Sequence, residues 1–467
     1  MAEKIVSPGV FTNEIDQSFL PAAAGPVGAA IVGPTVKGPV LEPTIVNSYG
    51  EYVRLFGELI QSGSDNYQFL TSHTAKEYLR QGGPVTIVRV AGTDTSRATA
   101  NVDLTVGPTG SSDTIFTLEA LGDGPQFNSF VATGSELGTD ELLTPQVDGI
   151  TNDHFGTGSF GGRADNFRWE VSNHNTAKGT FTLLIRQGND TIKKKKIIET
   201  HANLSLDPES TDYILKRIGN QTNTVATEDG VAYLQPEGEF PNRSNYVRVK
   251  TLSKKTPNYL DENGNLTDNA LSASLPSLGS GSYGGAFGDV SDGTAQTAGD
   301  FGGGEVIHPF GFYDNISSTN SQGVNMSVSS ATVGEGGYKT AISLLSNKDE
   351  YNFNLLILPG VVDQLANHSV VIGDAIQLCE DRGDCFLVYD NTSKTDSVAT
   401  AKTNTEARNS SYAAAYYPWV QIQDASLGVN RYVPPSVVIA GVYHFNDVIG
   451  QPWFAPAGLN RGGIDSA

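Results

Sequence analysis

Two short apolar runs constrain the fold of this chain more than any other feature. Residues 355–358 read Leu-Leu-Ile-Leu, and residues 385–390 read Cys-Phe-Leu-Val-Tyr-Asp. Between them, apolar residues recur at helical spacing over 365–379. A continuously apolar strand is buried on both faces, whereas an alternating strand has one face in water. Apolar strands that alternate with helices therefore predict a parallel sheet with helices on both faces.

The beginning of the chain has the same alternation. Residues 29–33 and 85–90 predict buried strands, and residues 67–80 between them predict a helix. Ser48 followed by Glu51 is a capping-box pattern that predicts the start of a shorter helix. Strand, helix and strand form a βαβ unit, so these strands are expected to pair in parallel.

The middle of the chain differs in pattern and in charge. Residues 93–334 have a net charge of -13, against -2 for residues 1–92 and -6 for residues 335–467. Stretches such as 180–186 and 245–250 are alternating or β-branched and are separated by turn residues. The predicted fold is an α/β core, with a parallel or mixed sheet and helices on both faces, that carries inserted β-rich domains. The chain is thus multi-domain and α+β overall.

This organisation divides the 467 residues into four predicted parts. Residues 1–20 form an extended N-terminal arm. Residues 21–92 and 335–467 form one discontinuous α/β core domain. Residues 93–334 form a variable β-rich insert of one or two domains.

Charge and hydropathy argue against several functions. The net charge of -21 repels phosphate, so nucleic acid is not an expected partner. The sequence has no apolar run near the ~20 residues of a membrane helix, so direct membrane insertion is not expected. Because the chain has only two cysteines, a disulfide scaffold is not expected.

Glycine-rich and lysine-rich motifs give no specific chemistry. Residues 279–284 match G-x-G-x-x-G, but Ser and Gly flank them where a strand and a helix are required. The stretch 334–340 resembles a phosphate loop, yet Tyr338 replaces the glycine before the lysine, so a helix N-terminus is expected. The lysines at 193–196 are expected on a solvated edge strand or turn; a nucleic-acid patch or a contact with an acidic neighbour is the alternative.

Metal-ligating and nucleophilic residues are also scattered. The seven histidines have no zinc-site spacing, and His73 and His368 are expected to pack or to lie on the surface of helices. Cys379 and Cys385 are expected to be buried free thiols. No catalytic residue, cofactor or metal is predicted, and the chain is predicted not to be an enzyme.

Motifs at both ends of the sequence resemble a known family. Near the start these are Ser-Pro-Gly-Val-Phe-Thr-Asn-Glu-Ile-Asp at 7–16, Gly-Ala-Ala-Ile-Val-Gly at 28–33, and Tyr-Gly-Glu-Tyr at 49–52 with Phe-Gly at 56–57. Near the end they are Tyr-Pro-Trp-Val at 417–420, Val-Pro-Pro-Ser at 433–436, Ala-Gly-Val-Tyr at 440–443, and Trp-Phe-Ala-Pro-Ala-Gly at 453–458. In order and spacing they are similar to the contractile tail sheath proteins of bacteriophages and related injection devices. The resemblance covers residues 1–92 and 335–467.

The resemblance implies a structural role in a virion. Sheath subunits form hexameric rings that stack helically around a tail tube, and a metastable extended state contracts to drive the tube through the host envelope for genome ejection. Implied partners are further copies of the chain, the tail tube protein, and the baseplate and tail terminator proteins. Such a late protein is assembled in the host cytoplasm and ends in the virion tail. Chains of this family continue past the last motif, so the usual C-terminal tube-contacting domain is expected to be absent here.

Two sets of residues are assigned from the resemblance. Residues expected to add a strand to a neighbouring subunit are Ile5, Ser7, Pro8, Gly9, Val10, Phe11 and Ile15. Residues of the family signature are Tyr417, Pro418, Trp419, Pro434, Pro435, Ala440, Gly441, Trp453, Ala455 and Pro456. Two alternatives stay open: a sheath subunit of a phage-derived bacterial injection device, and a carbohydrate-binding virion surface protein. The latter predicts an exposed aromatic cluster, for which Phe167, Trp169 and Tyr233 are the candidates.

Overall fold

A computed structural model describes most of the chain. The described residues are 27–58, 60–62, 65–91, 97–103, 114–123, 131–132, 160–161, 167–187, 195–276, 296–297, 300–301, 316–329, 331, 334–424, 428–450, 453–458 and 460–463. The predicted arm and the glycine-rich stretch 279–284 lie outside these residues.

The strands are numbered in chain order. Up to residue 91 they are β1 (Gly28–Gly33), β2 (Thr44–Val46), β3 (Ile60–Ser62), β4 (Asp65–Tyr67) and β5 (Val85–Arg89). Between residues 97 and 325 they are β6 (Arg97–Asp103), β7 (Thr114–Asp123), β8 (Val131–Ala132), β9 (Phe160–Gly161), β10 (Phe167–Asn175), β11 (Thr180–Gln187), β12 (Ile197–Ser205), β13 (Thr222–Glu228), β14 (Val231–Glu237), β15 (Val247–Leu252), β16 (Gln296–Thr297), β17 (Asp300–Phe301), β18 (Asn320–Ser321) and β19 (Val324–Asn325). The last are β20 (Phe353–Val362), β21 (Phe386–Asp390), β22 (Ala413–Ala415), β23 (Val420–Asp424) and β24 (Val429–Val433).

The helices of the described residues are numbered in the same way. They are α1 (Tyr49–Phe56), α2 (Leu70–Leu79), α3 (Ile214–Ile218), α4 (Asn269–Ser272), α5 (Gly334–Leu344), α6 (Ala366–Arg382), α7 (Val398–Glu406) and α8 (Ser436–Ile449).

A six-stranded sheet in the order β2-β5-β1-β20-β21-β22 organises the molecule. Its strands pair in parallel, except that β2 is antiparallel to β5. The central pair joins distant parts of the chain, since Ala29 lies opposite Leu355 and Ile31 opposite Ile357. The predicted fold class, a mixed α/β core within a multi-domain α+β chain, is confirmed.

Each face of the sheet carries its own hydrophobic core, because successive side chains of a strand point to opposite faces. Ala30, Val32, Leu356 and Leu358 pack under α5 and α6. Residues of odd number in the same two strands, such as Ile31 and Ile357, pack under α1, α2 and α8 on the other face. The unbroken apolar runs in the sequence thus result from burial on both faces.

Two predicted boundaries shift in the structure. The helix predicted over 67–80 begins only at Leu70, because Asp65–Tyr67 pairs as a strand with Ile60–Ser62. The strand predicted at 355–358 extends to Val362. Its pairing with β21 is irregular between Ile357 and Val362, and side chains bond the carbonyl groups in that stretch. Ser321 Oγ donates to the Gly360 carbonyl at 2.8 Å, and Gln322 Nε2 donates to the Pro359 carbonyl at 2.9 Å.

The predicted helix starts are otherwise correct. Glu51 N donates to Ser48 Oγ at 3.2 Å, as the capping box predicts, and the Glu51 carboxylate accepts from Asn47 N at 3.0 Å. Helix α5 begins at Gly334, so that motif is a helix N-terminus.

The middle of the chain folds around a separate hydrophobic core. Two three-stranded sheets, β15-β7-β6 and β10-β11-β12, bury Phe116, Phe181 and Val249 between them. Two pieces of this region pack instead on the main sheet. Ala232 of the β13–β14 hairpin joins that core, and its N–H donates to Ser343 Oγ at 2.9 Å. Val324 and Met326 also belong to that hydrophobic core.

Among the described residues, no helix is both long and apolar enough to cross a bilayer.

Candidate functional site

The signature residues between positions 417 and 441 converge at the carboxyl end of β21. Asp390 is the last residue of β21, Asn391 and Thr392 follow it, and each of the three anchors a different element. Trp419 is buried, and its indole N–H donates to the Thr392 carbonyl at 2.8 Å. Asn404 Nδ2 of α7 donates to the Asn391 carbonyl at 2.7 Å. We call this assembly, from Asp390–Thr392 with Tyr417–Trp419 and Pro434–Gly441, the signature cluster.

Asp390 fixes the start of α8 within the signature cluster. Its carboxylate accepts from Ser436 Oγ at 2.6 Å and from Ser436 N at 3.1 Å. A carboxylate at a helix N-terminus satisfies an otherwise free backbone N–H and interacts favourably with the helix dipole. Asp390 is nevertheless fully buried, and this burial raises its pKa to about 7 although both Ser436 hydrogen bonds act to lower it. The carboxyl group therefore changes charge near neutral pH.

The Tyr417–Pro418 peptide bond is cis, and the tyrosine side chain points outward. Its hydroxyl donates to the Asp396 carbonyl at 3.1 Å, which joins the start of this motif to the loop before α7.

Gly441 permits close contact between α8 and α2. A Cβ at this position would lie 3.0 Å from the Glu77 carbonyl oxygen and 3.3 Å from its carbon. Ala440 beside it is buried in the core under these helices. Small residues at both positions therefore set the distance between the two helices.

Substituting Gly441 with valine should destabilise the fold. The added methyl groups meet the α2 backbone, which cannot rotate away as a flexible side chain would, and overpacking of this kind costs about 1–3 kcal/mol. Gly373 of α6 is a matched control, because a Cβ there meets only Arg408 Nη1 at 3.8 Å. We expect Gly373→Val to leave the free energy of unfolding nearly unchanged in urea titrations. Equal losses in the two variants would contradict the proposed helix contact.

A buried ion pair lies in the β23–β24 hairpin beside the signature cluster. Arg431 Nε donates to Asp424 Oδ2 at 2.8 Å, and both side chains are almost completely buried. His73 Nε2 of α2 lies 4.0 Å from the same carboxylate oxygen. Burial lowers the pKa of His73 to about 3, although Asp424 acts to raise it, so the imidazole is neutral. The desolvated charge pair thus lies within the hairpin, and the neutral His73 of α2 packs beside it.

Sequence reasoning missed this pair. The available signal was alternation: Ile422 and Asp424 share the inward face of β23, and Arg431 and Val433 share that of β24. Charged residues at inward positions of two paired strands indicate a buried ion pair.

The remaining signature residues lie at the surface. Trp453 is 75% exposed, Ala455 is exposed, and Pro456 is partly exposed. They follow the end of α8, where Asn446 Nδ2 donates to the Phe454 carbonyl at 2.9 Å and the Arg461 guanidinium lies 4.5 Å from the Phe454 ring centre. These residues therefore do not pack within the signature cluster.

The crevice in which open parallel sheets usually bind ligands is occupied by the chain itself. This crevice lies at the carboxyl end of β1, which has β5 as its neighbour on one side and β20 on the other, beside the N-terminus of α2. Gln322 Oε1 accepts from Leu70 N at 2.7 Å while its Nε2 bonds Pro359. A helix N–H that a phosphate would use is thus already bonded within the protein.

The other candidates also have structural roles. Cys379 and Cys385 are buried free thiols whose sulfurs are 3.5 Å apart, and the hydrogen bond that they share, together with burial, raises the pKa of Cys379. His368 is buried, and its Nδ1 accepts from Val362 N at 3.1 Å. Lys195 Nζ bonds Glu170 Oε1 at 2.6 Å, which is an internal contact. Within the described part of the chain, no group of three or more His, Cys, Asp or Glu residues could hold a metal ion.

The proposed aromatic cluster is wrong for Trp169. This residue is buried in the separate hydrophobic core of the middle region, where β10-β11-β12 packs on the sheet that carries Phe116. Tyr233 is exposed on β14, in the hairpin that packs on the other core. The side chain of Phe167 lies outside the described residues.

Comparison with known proteins identifies structural neighbours. A sheath tail protein from Listeria innocua is 11% identical, with a TM-score of 0.41, over 92% of this chain and 58% of the other. A sheath tail protein from Desulfitobacterium hafniense is 12% identical, with a TM-score of 0.35, over 94% of this chain and 62% of the other. The chain thus spans about three fifths of the length of these two proteins. No protein-family model and no curated protein matches the sequence.

Proposed function

We propose that the chain is the structural subunit of a contractile phage tail sheath. Its copies assemble as hexameric rings stacked around a tail tube, and contraction of the stack drives the tube through the host envelope. No catalytic activity is assigned to it. Residues 1–20, 21–92 with 335–467, and 93–334 serve as arm, core and outward-facing insert.

The observation that carries this proposal is the convergence of the family-like motifs. The motifs at 417–419, 433–436 and 440–441 are separated in sequence, yet they bond or pack at the carboxyl end of one strand and on α2. Residues 28–33 of the N-terminal motifs form the central strand of the same sheet. A motif set that builds one packed unit indicates a shared fold rather than a chance resemblance.

A surface suited to self-assembly lies at the end of this unit. Val448, Ile449, Trp453 and Phe454 are large apolar residues, and all four are exposed around the end of α8. Contiguous exposed apolar residues of this kind usually mark protein–protein interfaces. We name these four residues the α8 apolar patch and assign it to contacts between copies of the chain.

The N-terminal arm is assigned to a second contact. Ile5, Ser7, Pro8, Gly9, Val10, Phe11 and Ile15 form an extended, mildly apolar segment. Strand addition gives such a segment affinity through its main chain, whatever its side chains. The tube, baseplate and terminator proteins are the further partners of the assembled sheath.

Substitutions in the α8 apolar patch test this assignment. Val448→Ser and Trp453→Ser are expected to lower self-association by at least about tenfold, since each removes one large apolar contact worth ~1.5–3 kcal/mol. Val398→Ser is the matched control, because Val398 is 70% exposed on α7 and Val448 is 62% exposed. Sedimentation velocity and electron microscopy of rings or tubes provide the measurement.

The result that would overturn the proposal is monodisperse monomer over the whole accessible concentration range. Equal loss of assembly in Val398→Ser would instead contradict the role of the patch alone.

A further inference from the structure

We infer that a cleft between the sheet domain and the inserted region binds an acidic saccharide. The cleft encloses about 490 Å³, within the ~300–1,000 Å³ of typical small-molecule sites. One wall comes from the loop 37–42 and the end of α1. The other comes from the start of β6, the end of β7, the start of β13 and the loop 241–246. Small-molecule sites occur preferentially at such junctions between domains.

A network of hydrogen bonds holds the two walls together. Arg97 Nη2 bonds Glu42 Oε1 at 2.7 Å, and Arg97 Nη1 donates to Thr222 Oγ1 at 3.1 Å. Asn223 Nδ2 donates to the second Glu42 oxygen at 3.1 Å. Among the described residues that line the cleft, Glu42 is the one acidic side chain; it is paired, so the cleft is preorganised before any ligand enters.

The described residues that line the cleft carry a positive net charge. They include three cationic side chains, Lys37, Arg54 and Arg97, and one carboxylate, that of Glu42. The Arg54 guanidinium is 49% exposed, and its ion-pair partner Glu51 is 3.7 Å away, beyond hydrogen-bond distance. In a chain of net charge -21, this cleft is a local site for an anion. The planar guanidinium of Arg54 suits a carboxylate, which it can bind through two parallel hydrogen bonds.

Apart from Arg97, the described lining residues of the opposite wall are uncharged, and several of them are polar. Gln221, Asn242 and Asn245 line it, and Tyr246 adds a partly buried aromatic ring. Asn242 Nδ2 already donates to the Gln221 carbonyl at 2.8 Å, and Asn245 Nδ2 donates to Glu199 Oε1 at 3.2 Å. The Gln221 side-chain amide can both donate to and accept from sugar hydroxyl groups, and the Asn242 side-chain oxygen can accept from them. The tyrosine ring offers an apolar face with a polar tip for a pyranose ring. A simple anion would leave this wall unused, whereas a sugar that carries a carboxylate engages both walls.

Titration with trigalacturonic acid, monitored by saturation-transfer NMR and calorimetry, tests the inference. Loss of the charge-assisted bond in Arg54→Gln should weaken binding about tenfold. Arg80→Gln is the matched control: Arg80 is 58% exposed, lies 3.7 Å from Glu77 three residues earlier in a helix, and does not line the cleft. Its affinity should stay within about twofold of the unsubstituted chain, because an exposed pair of this type contributes little.

Two further arms separate sugar recognition from anion recognition. Gln221→Ala should weaken trigalacturonate binding severalfold, and neutral maltotriose should bind at least about fivefold more weakly than trigalacturonate. The inference would be overturned if about 1 mM trigalacturonate, in 10-fold excess over the protein, showed no binding. Equal affinities of Arg54→Gln and Arg80→Gln for trigalacturonate would also overturn it. Complete displacement by an equal concentration of inorganic phosphate would also overturn it, since the site would then bind any anion.

Discussion

Replacement of Arg431 by methionine should destabilise the protein by about 3–5 kcal/mol. The substitution leaves the Asp424 carboxylate buried without the guanidinium that bonds it at 2.8 Å. An uncompensated buried charge loses its hydration and gains no equivalent interaction in return. The neighbouring His73 is neutral in the intact protein, where burial and the Arg431 charge both lower its pKa. Chemical denaturation followed by circular dichroism measures the loss.

The double variant Asp424→Leu/Arg431→Met separates the charge effect from the loss of packing. Replacing both partners of a buried pair by apolar residues is often neutral, so this variant should be more stable than Arg431→Met alone. Lys402→Met is the surface control, because Lys402 and Glu406 form an exposed pair 3.7 Å apart, and it should change stability by less than about 1 kcal/mol. A double variant as unstable as the single one would show that shape, not charge, dominates this site.

The second large effect concerns pH. Asp390 has a folded-state pKa of about 7, against ~3.9 in an unfolded chain. Below about pH 4 both states hold the proton, so its contribution to stability is fully present. Between about pH 4 and 7 only the folded state holds the proton, and rising pH then favours unfolding by up to ~1.4 kcal/mol per pH unit. The total contribution lost by neutral pH is on the order of 4 kcal/mol.

Asp390→Asn isolates this contribution, because the amide does not titrate. The difference in unfolding free energy between the unsubstituted chain and this variant should fall steadily from pH 4 to 7 and then level off. Other carboxyl groups also change the unfolding free energy with pH; Glu199, whose pKa is lowered, makes the folded state less stable as the pH falls. Their contributions are the same in both proteins and therefore cancel in the difference. Parallel stability curves for the two proteins would contradict a raised pKa for Asp390.

Much of the core could be predicted because its strands and helix starts depend on residues that are close together in the sequence. The runs at 29–33 and 355–358 are apolar at every position, apart from one terminal glycine, since helices cover both faces of the sheet. The capping pattern at Ser48 and the helix start at Gly334 depend on residues within one turn. The path of β20 past Pro359 could not be predicted, because its hydrogen-bond partners Ser321 and Gln322 lie almost forty residues earlier.

The candidate site was predicted as a set of motifs but not as an arrangement. The sequence placed Trp419, Pro435 and Gly441 in one signature, and the structure brings their segments together around Asp390–Thr392 and α2. The sequence did not indicate that Trp453 is exposed while Trp169 is buried. Each tryptophan has both polar and apolar neighbours in the sequence, so its local context does not distinguish the two cases. The cleft at Arg54 also has no motif, because its lining residues come from six separate segments.

The sequence by itself determined the two-sided parallel sheet, the acidic β-rich middle region and the absence of a recognisable catalytic motif. Each of these depends on composition or on periodicity over a few residues. Only the tertiary structure decided which charges are buried in pairs, which apolar residues stay exposed after α8, and where two domains leave a cleft. These features depend on side chains far apart in the chain, whose distances are fixed only when the sheet and its helices pack.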